Sequence, residues 1–237
     1  MSAAGRPWSM LVTCEHGGNE VPAEHAVLFA GHEEALRSHR GWDPGALTLA
    51  RELAARLGAP LLSATVTRLL VDLNRSPHNP RVFSEITRAL PPAERLALLE
   101  RWHRPHWEAV EGAVRRCVET GGRVLHLGVH TFTPVLRGEV RRPDLALLYD
   151  PRRPAERASA AWWARALERA APGRVVARNR PYRGASDGLT TSLRRRYGDD
   201  VYLGFELEVN QRHVGPGGAF PPWVAEAFAV SLEEARA

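Results

Sequence analysis

Short apolar runs in this chain alternate with stretches of helical period, and several of the runs end in a cluster of His, Asp, Asn or Glu. That alternation narrows the fold more than any other feature. Met10 to Cys14, Leu61 to Ala64, Leu69 to Leu73, Val124 to Val129, Ala146 to Tyr149, Arg174 to Ala177 and Val201 to Val209 read as strands. Ala46 to Leu57, Pro92 to Glu119, Ala155 to Ala170 and Pro222 to Arg236 read as helices. The second is expected to be interrupted near Pro105, because proline lacks an N–H and clashes with the preceding turn. Strands alternating with helices predict an α/β fold, a three-layer sandwich in which a mixed, mostly parallel sheet carries helices on both faces. No repeat or low-complexity linker divides the chain, so residues 1–237 are expected to form a single domain. Ligands of such sheets bind beyond the carboxyl ends of the strands, which is where the polar clusters fall.

Composition excludes several classes. All 32 basic residues are arginine and the net charge is +5. Apart from Arg194 to Arg196 they are spread along the chain, without a helix-turn-helix or RNA-binding signature. No nucleic-acid partner is therefore expected, whereas anionic small molecules would be attracted. Cys14 and Cys117 have no partner at a zinc-finger spacing, so a disulfide scaffold or thiolate zinc site is not expected. No apolar stretch is long enough to span a bilayer, and Met1 to Met10 lacks an apolar leader, so the expected compartment is the cytoplasm, with no membrane partner. A homo-oligomer is left open.

Five clusters carry chemistry. Cys14-Glu15-His16-Gly17-Gly18-Asn19-Glu20 follows the first strand, and His130 closes Gly128-Val129-His130 on another. Histidines at the ends of two core strands can share a metal ion, imidazole being a common zinc ligand. Each could equally be a strand-end histidine bonded to nearby backbone. Asp43, in Trp42-Asp43-Pro44-Gly45, is either a helix cap or a carboxylate completing a three-ligand site with one position open to water. Arg68 to Ser76 places Arg68, Asp72, Asn74 and Arg75 around a buried segment; Arg75 can grip a carboxylate through two hydrogen bonds, Asn74 can add a third, and Asp72 can orient a neighbour from behind. In Glu206-Leu207-Glu208-Val209-Asn210 the polar residues share one face of a strand, and either Glu could act as a base toward water. His126, His103 and His106 read as packed or hydrogen-bonded histidines.

With these clusters in order, the chain resembles the N-formylglutamate amidohydrolase family. The resemblance rests on His16-Gly17-Gly18-Asn19 with Val21-Pro22, Asp43 with Gly45-Ala46, Arg68 with Asp72-Leu73-Asn74-Arg75, His130 to Pro134, and Glu208. Asn179, Pro181, Tyr182 and Ser186-Asp187-Gly188 match a further stretch, and the likeness spans about residues 10 to 214. It implies a zinc-exopeptidase-like (phosphorylase/hydrolase-like) fold, similar to zinc carboxypeptidases and aspartoacylase-like deacylases. It also implies one zinc ion at His16 and His130, Glu208 as base, and Asn74 and Arg75 holding the carboxylate of a small N-acyl amino acid. Arg68 is the expected oxyanion donor, and Asp72 and Tyr182 are placed with the substrate-binding residues. The zinc carboxypeptidases have Glu three residues after the first His; here that residue is Asn19, so Asp43 is preferred as third ligand, with Glu20 the alternative. Asn210 stands where the family often has Arg, a departure that bears on substrate preference. The expected reaction is hydrolysis of an N-formyl or other N-acyl amino acid such as N-formylglutamate. An amidase or peptidase acting on a peptide or cell-wall fragment and a non-catalytic arginine-rich binding protein are the alternatives. A serine hydrolase is the weaker reading.

Overall fold

In the computed structural model, which describes residues 6–234, eight strands form two sheets. They are β1 (Trp8–Cys14), β2 (Leu61–Ser63), β3 (Arg123–Phe132), β4 (Val135–Leu136), β5 (Glu139–Val140), β6 (Leu145–Leu148), β7 (Val176–Arg178) and β8 (Tyr202–Asn210). Six of them make the main sheet in the order β2-β1-β3-β8-β6-β7, while β4 and β5 form a small hairpin. Only the β6–β8 pair of the main sheet is antiparallel. The helices are α1 (Glu33–Arg37), α2 (Ala46–Leu57), α3 (Pro92–Leu98), α4 (Arg104–Glu119), α5 (Pro154–Ala170), α6 (Leu189–Arg194) and α7 (Pro222–Glu233).

The period-two alternation of strand side chains divides the sheet into two unlike faces. Met10, Val12 and Cys14 of β1 pack with Leu127 and Val129 of β3 and with Phe205 and Leu207 of β8. α2, α5 and α7 cover that face through Leu49, Leu53, Trp163 and Phe228. Leu11, Val124 and Tyr202 face the other way, against Val110 and Val114 of α4 and Leu189 and Leu193 of α6. The result is the three-layer α/β sandwich expected. Farther along this second face, toward the strand ends, the side chains turn polar, and all the candidate chemistry lies there.

Two expectations need correcting, and a third lies partly outside the described residues. Leu69 to Leu73 is not a strand. Its apolar residues are buried against Phe29, Val82 and Leu98, and its backbone oxygens accept from Thr87 and Ser84 side chains instead of a neighbouring strand. A short apolar run cannot be assigned by period alone, and burial in a turn produces the same composition. The cap reading of Asp43 also fails: α2 starts at Ala46, Gly45 occupies the cap with φ +82°, and no side chain caps the helix. The last helix is described only to Glu233; the expected continuation to Arg236 runs past the described residues. The interruption near Pro105 is a widened π turn over Leu99–His103. Such a turn gives the ring room where an α turn would clash.

Candidate metal centre and substrate cleft

Two backbone features bring His16 and Asp43 together. Gly17 and Gly18 run against the segment after β2, where a Cβ on either would lie 2.8 Å from the Ala64 oxygen or 2.5 Å from the Thr65 oxygen. No side chain fits such an approach, so the turn carrying His16 is pinned to the sheet edge. The Asp43 N–H then donates to the His16 oxygen at 2.9 Å, which carries the carboxylate over the imidazole. β3 delivers His130 from the next strand, and the rings of His16 and His130 meet edge to face at 5.2 Å.

Asp43 Oδ2 lies 3.1 Å from His130 Nδ1 and 3.5 Å from His16 Nδ1. Zinc bonds to nitrogen and oxygen are about 2.0–2.2 Å, so ligand atoms at the corners of a tetrahedron stand about 3.4 Å apart. The donor set therefore fits such an ion. His16 Nδ1 is a buried nitrogen without a hydrogen-bond partner, as expected of a lone pair reserved for a ligand. Both opposite ring nitrogens face carboxylates: His16 Nε2 is 2.7 Å from Asp72 Oδ1, and His130 Nε2 is 3.3 Å from Glu15 Oε2. A carboxylate behind each imidazole sets its tautomer and makes it a better ligand. Among the described residues, His16, Asp43 and His130 are the group of His, Cys, Asp and Glu close enough to hold an ion. Glu20, the alternative third ligand, is exposed and accepts from Thr65 Oγ1 at 2.6 Å instead.

Charge is balanced within the buried cluster. Burial alone would raise the Asp43 and Asp72 carboxyls, but His16, Arg68 and, for Asp43, the His130 hydrogen bond hold both well below the usual carboxylate range. Burial alone would also lower His130; Asp43 and Glu15 raise it well above an ordinary imidazole. Arg68 reaches Asp43 at 3.3 Å and Asp72 at 3.0 Å, with 24% of its side chain exposed. Glu208 behaves oppositely to the other carboxyls. Burial is the largest influence, only partly countered by His130, and the carboxyl is pushed up to about 8. Its Oε2 is buried without a partner. Glu206, two residues earlier, contacts Asn74 Nδ2 and Thr190 Oγ1, each at 3.3 Å.

His16, Asp43, His130, Arg68, Asp72, Asn74, Arg75, Tyr182 and Glu208 all line one cleft of about 1070 Å³. Asn74 Oδ1 accepts from Leu189 N at 3.1 Å, while its Nδ2 lies 3.3 Å from His130. Arg75 donates to the Asp187 backbone oxygen at 2.9 Å, and Asp187 in turn accepts from Ser76 N and Asn79. The stretch around Asn179 to Gly188 is thus latched onto the segment after Asp72. Tyr182 is at the exposed rim, where its hydroxyl accepts from Arg141. Asp72 is engaged by His16 and Arg68 at the back of the metal group.

Glu15 received no role in the sequence reading, although it precedes His16 directly. It is buried, and hydrogen bonds from His106 and His130 outweigh burial to hold its carboxyl low. The signal was available: the period of a strand places residue 15 on the same face as residues 11 and 13, the face covered by α4. His103 stacks on Trp107 at 4.7 Å and lies 2.7 Å from the Arg75 oxygen, so it packs as expected. His126 is a core histidine between Thr13 Oγ1 and Tyr202 OH, lowered to about 4 by burial.

Comparison with known proteins finds counterparts of the sequence and of the fold. The sequence model of the N-formylglutamate amidohydrolase family matches residues 8–214. A solved gene product of Agrobacterium tumefaciens is 26% identical with a TM-score of 0.78, over 100% of this chain and 95% of the other. The crystal structure of N-formylglutamate amidohydrolase from Ralstonia eutropha JMP134 is 20% identical with a TM-score of 0.65, over 98% and 93% of the two chains, a likeness of fold. No curated protein matches the sequence.

Proposed function

The chain belongs to the N-formylglutamate amidohydrolase family, and from that membership we propose that it hydrolyses the amide bond of an N-formyl or other N-acyl amino acid, using one zinc ion. N-formylglutamate is the reference substrate, giving formate and the free amino acid. The cytoplasm is the proposed compartment; among the described residues no helix is long and apolar enough to cross a membrane.

One observation carries this reading: three buried donor atoms converge, His16 Nδ1 among them without a partner, and an unpaired carboxyl stands beside them. His16, Asp43 and His130 would hold the ion, which when bound polarises an amide carbonyl and acidifies water at the site. Glu208 takes the proton of the attacking water and returns it to the leaving amine. A carboxyl that stands beside the reacting atoms can do both. Arg68 keeps three of its five N–H groups after engaging Asp43 and Asp72, and it offers them to the oxygen that gains charge. Arg75 and Asn74 grip the amino-acid carboxylate, so that binding energy orients the amide over Glu208. Tyr182 closes the rim side of the substrate.

The test is metal analysis of the purified protein followed by a panel of N-formyl and N-acetyl amino acids. About one zinc per chain and formate release from N-formylglutamate are expected. A protein that takes up no divalent metal and hydrolyses none of the panel would exclude the reading.

A further inference from the structure

The cleft is larger than an N-formyl amino acid requires, and its mouth carries arginines that such a substrate would not reach. Pockets for drug-sized ligands run from about 300 to 1,000 Å³, and this one measures about 1070 Å³. A molecule of amino-acid size fills a fraction of it. Burial orders the cleft from the floor outward. His16, Asp43, His130 and Glu208 are buried at the floor. Arg68 and Arg75 stand above them with side chains 24% and 30% exposed. Arg81, Arg88 and Arg183 line the same cleft and are exposed at its mouth.

The charges at the two levels are differently placed. Floor and mid-level carboxylates are mostly engaged: Asp43 and Asp72 by Arg68, and Asp187 by Ser76 and Asn79. At the mouth Arg40 and Glu85 pair with each other. Arg81, Arg88 and Arg183 form no ion pair among the described residues, and so leave uncompensated positive charge around the entrance. Guanidinium groups bind carboxylates through paired, directional hydrogen bonds, and a rim of unpaired positive charge raises the local concentration of the opposite ion.

We infer that the substrate reaches from the floor to this mouth: an N-acyl amino acid, its own carboxylate held at Arg75, extended by an acidic chain whose carboxylates meet Arg81, Arg88 and Arg183. This inference rests on the amidohydrolase reading for the reaction at the floor. A neutral extension of equal length would occupy the space without gaining the charge contacts, and added salt would erode the difference.

The experiment compares three compounds with the zinc-loaded full chain. They are N-formylglutamate, the same compound extended through its side-chain carboxyl by two glutamates, and the same extended by two glutamines. The acidic extension is expected to exceed the neutral one at least tenfold in kcat/KM, and the margin should shrink with salt. It should vanish in an Arg81→Ala, Arg88→Ala, Arg183→Ala variant that still turns over N-formylglutamate within about threefold, which also shows that the variant is folded. Calorimetric binding to the Glu208→Gln protein supplies a readout without turnover. Turnover of N-formylglutamate with equal kcat/KM for both extensions would overturn this inference and leave the amidohydrolase reading intact. Arginine-dependent preference in binding, with no hydrolysis of any compound by the wild type, would remove that reading and keep the long acidic ligand.

Discussion

His130 and Glu208 are register partners in the parallel ladder between β3 and β8, so an imidazole of the candidate metal centre and the unpaired carboxyl leave the same sheet face side by side. The ladder, rather than a flexible loop, sets their spacing. The roles proposed for the two residues are therefore tied to one element of the fold.

Glu208→Gln keeps the shape of the side chain and removes the base. A positioned base contributes about 10²- to 10⁴-fold, so turnover should fall by at least that lower bound while zinc content stays at the wild-type level. Formate release and metal analysis on the same preparation check it. Undiminished turnover would move the proton transfer to Glu206 or elsewhere.

The same substitution has a signature in the metal-free protein. The folded-state value of Glu208 is raised from 4.5 to about 8. The neutral carboxyl therefore contributes stability that is complete below about pH 4.5 and is lost as pH rises through about 8. Urea midpoints of the chelator-treated wild type should decline across that window, and the Glu208→Gln profile should be flatter. Parallel profiles would mean the carboxyl titrates normally.

Asp72→Asn and Glu15→Gln each remove the charge behind one imidazole. Losing such a partner costs about 10- to 100-fold in metal affinity or activity. Chelator competition should show the weakening in both variants, and more strongly for Asp72→Asn, whose contact to His16 is 2.7 Å against 3.3 Å for Glu15 to His130. Wild-type affinity in both would show that the carboxylates do not act through the histidines.

Arg75→Ala should act on binding. A charged hydrogen bond is worth about 1.5–3 kcal/mol, or about 10- to 100-fold. KM for carboxylate-bearing substrates should rise by that factor, with little change in KM for the corresponding amides. A KM that stays put would place the carboxylate elsewhere in the cleft.

Gly18→Ala puts a methyl 2.5 Å from the Thr65 oxygen, a backbone atom that cannot swing aside. Overpacking of this kind costs about 1–3 kcal/mol. Because the same turn carries His16, zinc affinity should fall together with the urea midpoint. A loss of stability with full zinc affinity would uncouple the turn from the metal group.

Much of the site was legible because its residues interrupt apolar periodicity at the ends of strands. Alternation alone put Glu206, Glu208 and Asn210 on one strand face, and His16 and His130 stood at the ends of apolar runs. What the sequence concealed depends on contacts between remote segments. Leu69 to Leu73 has the composition of a strand but satisfies its oxygens with Thr87 and Ser84, a partnership no local pattern announces. Asp43 matched a helix cap in residue type, and only the turn at Gly45 directs its carboxylate to the histidines instead. Glu15 gains its meaning from His130 and His106, more than ninety residues away.

The two-faced sheet also limits how this protein can change by insertion or deletion. Removing one residue from the middle of β8 while keeping its pairing to β3 would exchange inward and outward positions beyond that point, sending the Glu208 carboxyl among Leu127, Trp163 and Phe228 and lifting an aliphatic chain into the cleft. Loss of a residue inside the strands is therefore ruinous, whatever residue is lost.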